Sequence, residues 1–229
     1  MRRIGIFLIL CVIATGFCFG QLPHTFTQYT SEDGLSQNTI MSILQDDKGV
    51  MWFATWDGLY KFDGYTFNNY KAHPGDSIGL SNNRLDNIKE DRYGYIWVQS
   101  YNHQVYRFNP RLERFQAIPY DNYLSLDMYV LPCGDVWIIT VQNELIHIST
   151  HPETKATDFF KSHQISYSEP IKSIFQDSRE NQWILTENGL YRLTRNGNEE
   201  KLSSYFVAPP EKDKQPFYDA LENNHTIYL

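Results

Sequence analysis

Short runs of alternating apolar and polar residues, cut by turn residues at close intervals, fill this chain from residue 25 onward. Ile40-Met-Ser-Ile-Leu-Gln45 carries apolar residues on both faces, as a strand covered on two sides does. Asp46-Asp-Lys-Gly49 follows as a hairpin turn, with a glycine able to take positive φ. Val50-Met-Trp-Phe-Ala-Thr55 predicts a second strand and Trp56-Asp57-Gly58 a turn. Leu59-Tyr-Lys-Phe62 predicts a third strand, Asp63-Gly64 a hairpin and Tyr65-Thr-Phe-Asn-Asn-Tyr70 a fourth. After the first twenty residues no segment has the length and periodicity of an amphipathic helix.

The pattern then recurs. Inner strands are predicted again at Leu85–Glu90, from Met128 to Leu131, and at Ile171–Gln176. A fifth begins with Tyr218, and the sequence stops at Ile227-Tyr-Leu229. Trp52, Trp97, Trp137 and Trp183 stand 45, 40 and 46 residues apart. Three residues before them lie Gly49, Gly94, Gly134 and Glu180; three after lie Thr55, Ser100, Thr140 and Thr186; nine before lie Ile43, Ile88, Met128 and Ile174. Self-similarity at this period, built from short strands, marks a β-propeller. The expectation is an all-β, incomplete propeller of four-stranded antiparallel blades, at about 39–70, 84–118, 125–160 and 170–203, with a partial blade at 215–229 where Ile227 takes the tryptophan position. A tryptophan at a fixed place on the second strand is expected to pack between neighbouring blades.

Thr25-Phe26-x-x-Tyr29 followed by Leu35-Ser36-x-Asn38 echoes Thr66-Phe67-x-x-Tyr70 followed by Leu80-Ser81-x-Asn83. This predicts a lone outer strand at Thr25–Thr30 that closes a ring by pairing with a last blade. A ring needs roughly 4–8 blades, so the 229 residues are expected to be the beginning of a longer protein. A short protein that closes by dimerising is the alternative.

Residues 1–20 differ from the rest. Arg2 and Arg3 precede an uncharged run of 16, Ile4 to Phe19, which ends at Cys18-Phe19-Gly20. This predicts a secretory signal peptide over 1–20, too short for a comfortable membrane span. An uncleaved anchor is the alternative, and Leu10 and Phe17 before Cys11 and Cys18 do not suit lipid attachment. Without the leader the chain holds 18 basic and 27 acidic residues, a net charge of −9. That balance argues against contact with a phosphate backbone, so no nucleic-acid partner is expected. Of three cysteines only Cys133 remains, so no intrachain disulfide is expected, and it reads as a small turn residue.

No chemistry of a reaction centre stands out. The seven histidines show no metal-ligand spacing, and neither a Gly-rich phosphate loop nor a Gly-x-Ser-x-Gly elbow occurs. No cofactor, metal or catalytic residue is expected. The acidic pairs Glu32-Asp33 and Glu199-Glu200 fall in predicted turns, and glycosidase acids need a set separation across a cleft.

The sentence Gln45-Asp-Asp-Lys-Gly-Val-Met-Trp-Phe-Ala-Thr-Trp-Asp-Gly-Leu-Tyr-Lys-Phe-Asp63 resembles the two-component-regulator propeller repeat. So does Gln176-Asp-Ser-Arg-Glu-Asn-Gln-Trp-Ile-Leu-Thr-Glu-Asn-Gly-Leu-Tyr-Arg-Leu193. Phe26-Thr-Gln-Tyr-Thr-Ser-Glu-Asp-Gly-Leu-Ser-Gln-Asn38 is similar to the start of the periplasmic sensor region of Bacteroidetes-type hybrid two-component systems. The third copy departs most, with Leu131 in place of Asp and Asn143-Glu144 in place of Asn-Gly. The resemblance implies two propellers, a β-sandwich, a membrane helix, a histidine kinase, a receiver and a DNA-binding output domain. It further implies an oligosaccharide ligand, a homodimer in the full-length protein, and membrane attachment only through a helix beyond this chain. By the same resemblance this segment is periplasmic, the full-length protein sits in the inner membrane, and kinase activity lies outside this chain.

Propellers commonly bind on the face formed by the loops from second to third strand and from fourth strand to next blade. Here these are Trp56-Asp57, Tyr101-Asn102-His103, Gln142-Asn143 and Glu187-Asn188, with interblade loops Lys71–Asn83, Asp121–Ser125 and Ser162–Glu169. Aromatic, amide and acid side chains on one rim suit stacking on a sugar and hydrogen bonding to it. Trp56, Tyr101 and His103 exceed what a turn requires. A polysaccharide lyase or glycosidase, and a free-standing interaction scaffold, are the rival readings.

Overall fold

The computed structural model describes residues 26–73, 75, 79–118, 124–142, 144–148, 165–166, 170–187, 189–196, 199–207, 221–223 and 226–228. The leader, Tyr218, Asn143 and Asn188 lie outside the described residues.

Among the described residues, four antiparallel sheets of four strands succeed one another. The first contains β1 (Ile40–Gln45), β2 (Met51–Thr55), β3 (Gly58–Phe62) and β4 (Phe67–Tyr70). The second contains β5 (Leu85–Glu90), β6 (Ile96–Ser100), β7 (Val105–Asn109) and β8 (Arg114–Ala117). The third contains β9 (Ser125–Val130), β10 (Val136–Thr140), β11 (Glu144–Ile148) and β12 (Ile165–Ser166). The fourth contains β13 (Ile171–Gln176), β14 (Gln182–Thr186), β15 (Gly189–Asn196) and β16 (Glu199–Val207). A hairpin of β17 (Leu221–Asn223) and β18 (Thr226–Tyr228) follows. Within each sheet the strands lie in chain order, the up-and-down meander of a propeller blade.

Two segments differ from the reading above. Residues 26–30 belong to none of these sheets. Tyr29 instead sets its ring edge-on to Phe62 and Phe67, with centroids 5.0 and 5.6 Å apart, while Phe26 is exposed. A closing strand needs the open edge of a last blade to join, and none of the sheets among the described residues pairs with it. The stretch Ser162–Glu169, read as a loop, contains the short outer strand β12, which pairs with β11 through Ser166 opposite Glu144 and Ile165 opposite Leu145.

The core lies between sheets, because each blade is one sheet thick and buries its faces only against its neighbours. Trp52 packs with Ile88, Ile96 and Phe108 across the first boundary. Trp97 packs with Met128, Val136 and Ile148 across the second, and Trp137 with Ile174, Ile184 and Leu193 across the third. Trp183 packs with Leu185 and Leu190, and Ile227 of the final hairpin closes on that cluster. The four indoles are between 0 and 4% exposed, so they occupy one depth in successive sheets.

Each tryptophan faces a basic residue on its third strand: Lys61, Arg107, His147 and Arg192. The turn before it is built by an aspartate in three of four sheets. Asp46, Asp91 and Asp177 accept two backbone N–H groups each with one carboxylate oxygen and the indole N–H with the other, at 2.8–3.1 Å. One residue thus shapes the hairpin and orients the ring that fills the next boundary. Straps tie the turns of the first, third and fourth sheets to the sheet or hairpin that follows. The Asp47 amide donates to Glu90 at 2.9 Å, that of Cys133 to Gln176 at 2.8 Å and that of Ser178 to Glu222 at 2.7 Å. In the third sheet Pro132 occupies the usual donor position, and having no N–H it passes the role to Cys133.

Candidate functional site

The loops joining second to third strands share one construction. The hydroxyl three residues after the tryptophan holds the loop. Thr55 Oγ1 donates to Gly58 O at 2.9 Å, Ser100 Oγ to Gln104 O at 3.0 Å and Thr186 Oγ1 to Gly189 O at 3.1 Å, while Thr140 Oγ1 accepts the Glu144 amide at 3.0 Å. The next residue then stands at the rim: Trp56, Tyr101, Val141 and Glu187 are equivalent positions. Three of them donate their amide to the carbonyl just ahead of their own inner strand, Tyr101 to Arg84 at 2.9 Å, Val141 to Leu124 at 2.8 Å and Glu187 to Pro170 at 3.3 Å. The rim is therefore aromatic on the first two sheets, and aliphatic or acidic on the next two.

On the first two sheets the structure brings Trp56 and Tyr101 together through a residue that sequence reasoning passed over. The Arg84 guanidinium lies 4.1 Å from the Trp56 ring centroid and 3.8 Å from that of Tyr101. The cation is held between two rings that remain 41% and 52% exposed. Backbone bonds fix the arrangement: Gly58 N donates to Asn83 O at 2.8 Å and Tyr101 N to Arg84 O at 2.9 Å. A signal for Arg84 existed in the motif echo, because Asn38-Thr39-Ile40 of the first copy becomes Asn83-Arg84-Leu85 in the second. A long cation replaces a threonine beside two aromatic loops.

Beside this sandwich lies a polar cluster. Asp57 accepts from Ser36 Oγ at 2.5 Å and pairs with Lys71, and Ser36 also bonds Tyr60, which accepts from Asn69 Nδ2 at 2.6 Å. Burial works to raise the Asp57 carboxyl, but the bonds from Lys71 and Ser36 and the Lys71 charge outweigh it and hold the group below the usual carboxylate range. The second sheet repeats the cluster with neutral groups. Ser81 bonds Gln104 at 2.9 Å and Tyr106 at 2.7 Å, and Asn102 Nδ2 donates to Ser81 at 3.2 Å.

The remaining predicted residues are more dispersed. His103 takes a left-handed φ of 65°, and its Nδ1 lies 2.9 Å from Ser125 O. Its carbonyl accepts from Ser125 N and Oγ at 3.0 and 2.7 Å, so it joins the second rim loop to the third sheet. Gln142 is exposed and Glu187 half-buried, each on its own loop. A separate groove at the outer edges of the first two sheets is lined by Asn69, Tyr70, Lys71, His73, Glu113 and Phe115. There Tyr70 donates to Glu113 at 2.8 Å, and burial, followed by that bond and the Glu113 charge, pushes its phenol well above the usual range. Among the described residues no three His, Cys, Asp or Glu side chains converge as a metal site would require.

With this geometry in place, three kinds of likeness bear on the chain. The two component regulator propeller family matches residues 34–57, which run from the first turn through the first rim loop. Histidine kinase P4 of Formosa agariphila is 40% identical over 83 residues, covering 35% of this chain and 6% of that protein. The extracellular domain of BT4673 from B. thetaiotaomicron, described as a hybrid two component system, superposes with a TM-score of 0.56 at 20% identity. That match covers 80% of this chain and 25% of the other. YCF48 from Cyanidioschyzon merolae gives 0.51 at 9% identity over 77% of this chain and 61% of its own. The chain thus carries a two-component regulator propeller repeat, and its sheets are arranged as in these propeller-type folds. It spans a small part of the length of the histidine kinase and a quarter of the BT4673 domain.

Proposed function

We propose that this chain is the exported, ligand-sensing propeller segment of a hybrid two-component sensor, and that it binds an oligosaccharide on the rim carrying Trp56 and Tyr101. The observation that carries this reading is the pair of half-exposed rings at equivalent loop positions of adjacent sheets, in a chain with the two-component regulator repeat. A sugar ring stacks on an exposed aromatic face, and the neighbouring Asp57, Asn102 and Gln104 supply donors and acceptors for its hydroxyls. The reading places the segment in the periplasm, with the kinase and a membrane helix in other parts of the protein and signalling through a homodimer. A ligand would act by favouring one arrangement of propellers in the dimer, and only by as much as its affinity for the two arrangements differs.

The test is calorimetric titration of the exported chain with a panel of plant and algal oligosaccharides, repeated with a Trp56→Ala/Tyr101→Ala double variant. The expected result is a saturable glycan whose affinity falls at least about tenfold in the variant, with the β-sheet circular dichroism unchanged. Equal titration by both proteins would remove the site, and turnover of a glycan would favour a propeller enzyme.

A further inference from the structure

The Arg84 guanidinium makes no hydrogen bond or ion pair among the described residues, and its Nε is buried without a partner. Burying a cationic donor unpaired is costly. Trp56 and Tyr101 offset that cost through their faces, but ring faces leave the in-plane N–H groups unused. Arginine presents those groups as a planar fork that matches two oxygens of one anion. The contrast with nearby charges is instructive. Lys71 is paired with Asp57, and Arg107 of β7 lies over the ring of Tyr95, just ahead of β6. Arg84 alone of these three is clamped at the rim between half-exposed rings. The equivalent positions ahead of the other inner strands hold Thr39, Leu124 and Pro170, so the loop construction does not require a cation there.

We infer that Arg84 is an anion-recognition element: the rim binds acidic saccharides, taking a carboxylate or sulfate group on the Arg84 fork while the adjoining sugar ring stacks on Trp56 or Tyr101. This rests on the reading of the rim as a glycan site. It adds that the ligand is anionic, although the chain as a whole is acidic at −7. The rings preorganise the guanidinium, so little side-chain entropy remains to be lost when the anion arrives.

The experiment compares a neutral, a uronate-containing and a sulfated tetrasaccharide by calorimetry at low and high salt. It uses the chain as it stands and its Arg84→Gln and Arg84→Lys variants. Free glucuronate and inorganic sulfate serve as probes of the anion subsite alone, followed by tryptophan fluorescence. An acidic tetrasaccharide should bind at least about tenfold more tightly than the neutral one. Arg84→Gln should abolish that preference and Arg84→Lys should weaken it, and the uronate and sulfate arms identify which anion is used. Neutral and acidic sugars binding equally, or a preference that survives Arg84→Gln, overturns the inference while leaving the glycan rim intact. Glucuronate or sulfate bound through Arg84 with no oligosaccharide bound overturns the glycan rim and leaves the anion site. Binding of none of them overturns both.

Discussion

Trp137 donates its indole N–H to Gln182 of the following sheet at 2.9 Å, across the boundary it fills. The other three repeat tryptophans donate to an aspartate in their own turn. In the third sheet that aspartate is replaced by the buried Leu131, so the acceptor comes from outside the blade. Gln182 completes its amide by donating Nε2 to Asp135 Oδ2 at 2.6 Å and to Cys133 Sγ at 3.4 Å. Asp135 also lies 3.2 Å from His147 Nε2, whose ring stacks on Trp137 with centroids 4.1 Å apart. One missing carboxylate has been replaced by a buried polar chain that joins two blades.

Gln182→Leu should therefore behave as more than a local substitution. It strands the Trp137 N–H and removes a donor from buried Asp135. Leaving a buried carboxylate short of a partner costs on the order of 3 kcal/mol. Urea unfolding should show a loss of that size. A double-mutant cycle with Asp135→Asn should show coupling; strict additivity would mean that the two side chains do not act together.

Glu180 occupies the turn position held by Gly49, Gly94 and Gly134, and takes the same left-handed backbone, with φ of 66° beside 82°, 77° and 97°. An L-residue there carries a steric penalty of roughly 1–2 kcal/mol that glycine avoids. Glu180→Gly should raise stability by about 0.5–1 kcal/mol after the extra freedom of glycine in the unfolded chain is discounted. Thermal melting checks this, and an unchanged or lower Tm would show that the turn is not strained.

What could be read from residues alone was whatever a few neighbours decide. A tryptophan's place on its strand, the turn before it and the hydroxyl that folds the loop after it are set within one hairpin. Their period therefore announced both the sheet and its depth. Arg84 escaped because its role depends on two rings from different loops, each distant in sequence. The departure at Leu131 was visible, but Gln182 as its substitute was not, since that bond exists only once two blades meet. The outer strand β12 was missed for a related reason: two residues paired by register carry almost no pattern of their own.

Asp177 gives the fold a dependence on acid. Burial works to raise its carboxyl, but bonds from Asn181 and Trp183 side chains and from the Asn181 and Arg179 amides more than reverse this, so its pKa is lowered. A depressed carboxyl contributes stability that is fully present above the unfolded value, about 3.9, and is lost as pH falls through the folded one. Tm should hold from neutral pH to about pH 4 and then decline. In Asp177→Asn the decline below that point should be shallower, because one of the titrating groups is gone. An identical acid limb in both proteins would exclude Asp177 as a contributor.

Gly58 opens β3 with φ of 113°, and a Cβ placed there would lie 2.6 Å from Tyr70 O and 2.8 Å from Asn69 Oδ1. The clash is with the neighbouring strand's backbone, which cannot move without breaking the β3–β4 ladder. Gly58→Ala should destabilise the chain by at least about 2 kcal/mol. It should also displace the rim loop, whose Gly58 amide is bonded to Asn83 next to Arg84. Weaker ligand binding together with a lower Tm is the expected pair of results, and a native-like Tm would show that the loop accommodates a side chain.

Glu90 offers the opposite case. Its carboxylate accepts the Asp47 amide at 2.9 Å, yet it sits among Asp46, Asp47 and Asp91. Burial first, and then those three negative charges, raise its pKa against the lowering effect of the Asp47 bond. A raised carboxyl contributes stability that is complete below its unfolded value, about 4.3, and is lost as pH rises through the folded value. At neutral pH the charged form therefore works against the fold. The fourth sheet shows a compatible alternative: Gln176 at the equivalent position accepts the Cys133 amide at 2.8 Å with no charge. Glu90→Gln keeps an acceptor for Asp47 and removes the repulsion. It should raise Tm at pH 7, with the gain shrinking as pH falls toward about 4. A variant less stable than the parent at pH 7 would mean that the charge-assisted strap outweighs the cluster of like charges, and that the two boundaries hold together by different balances.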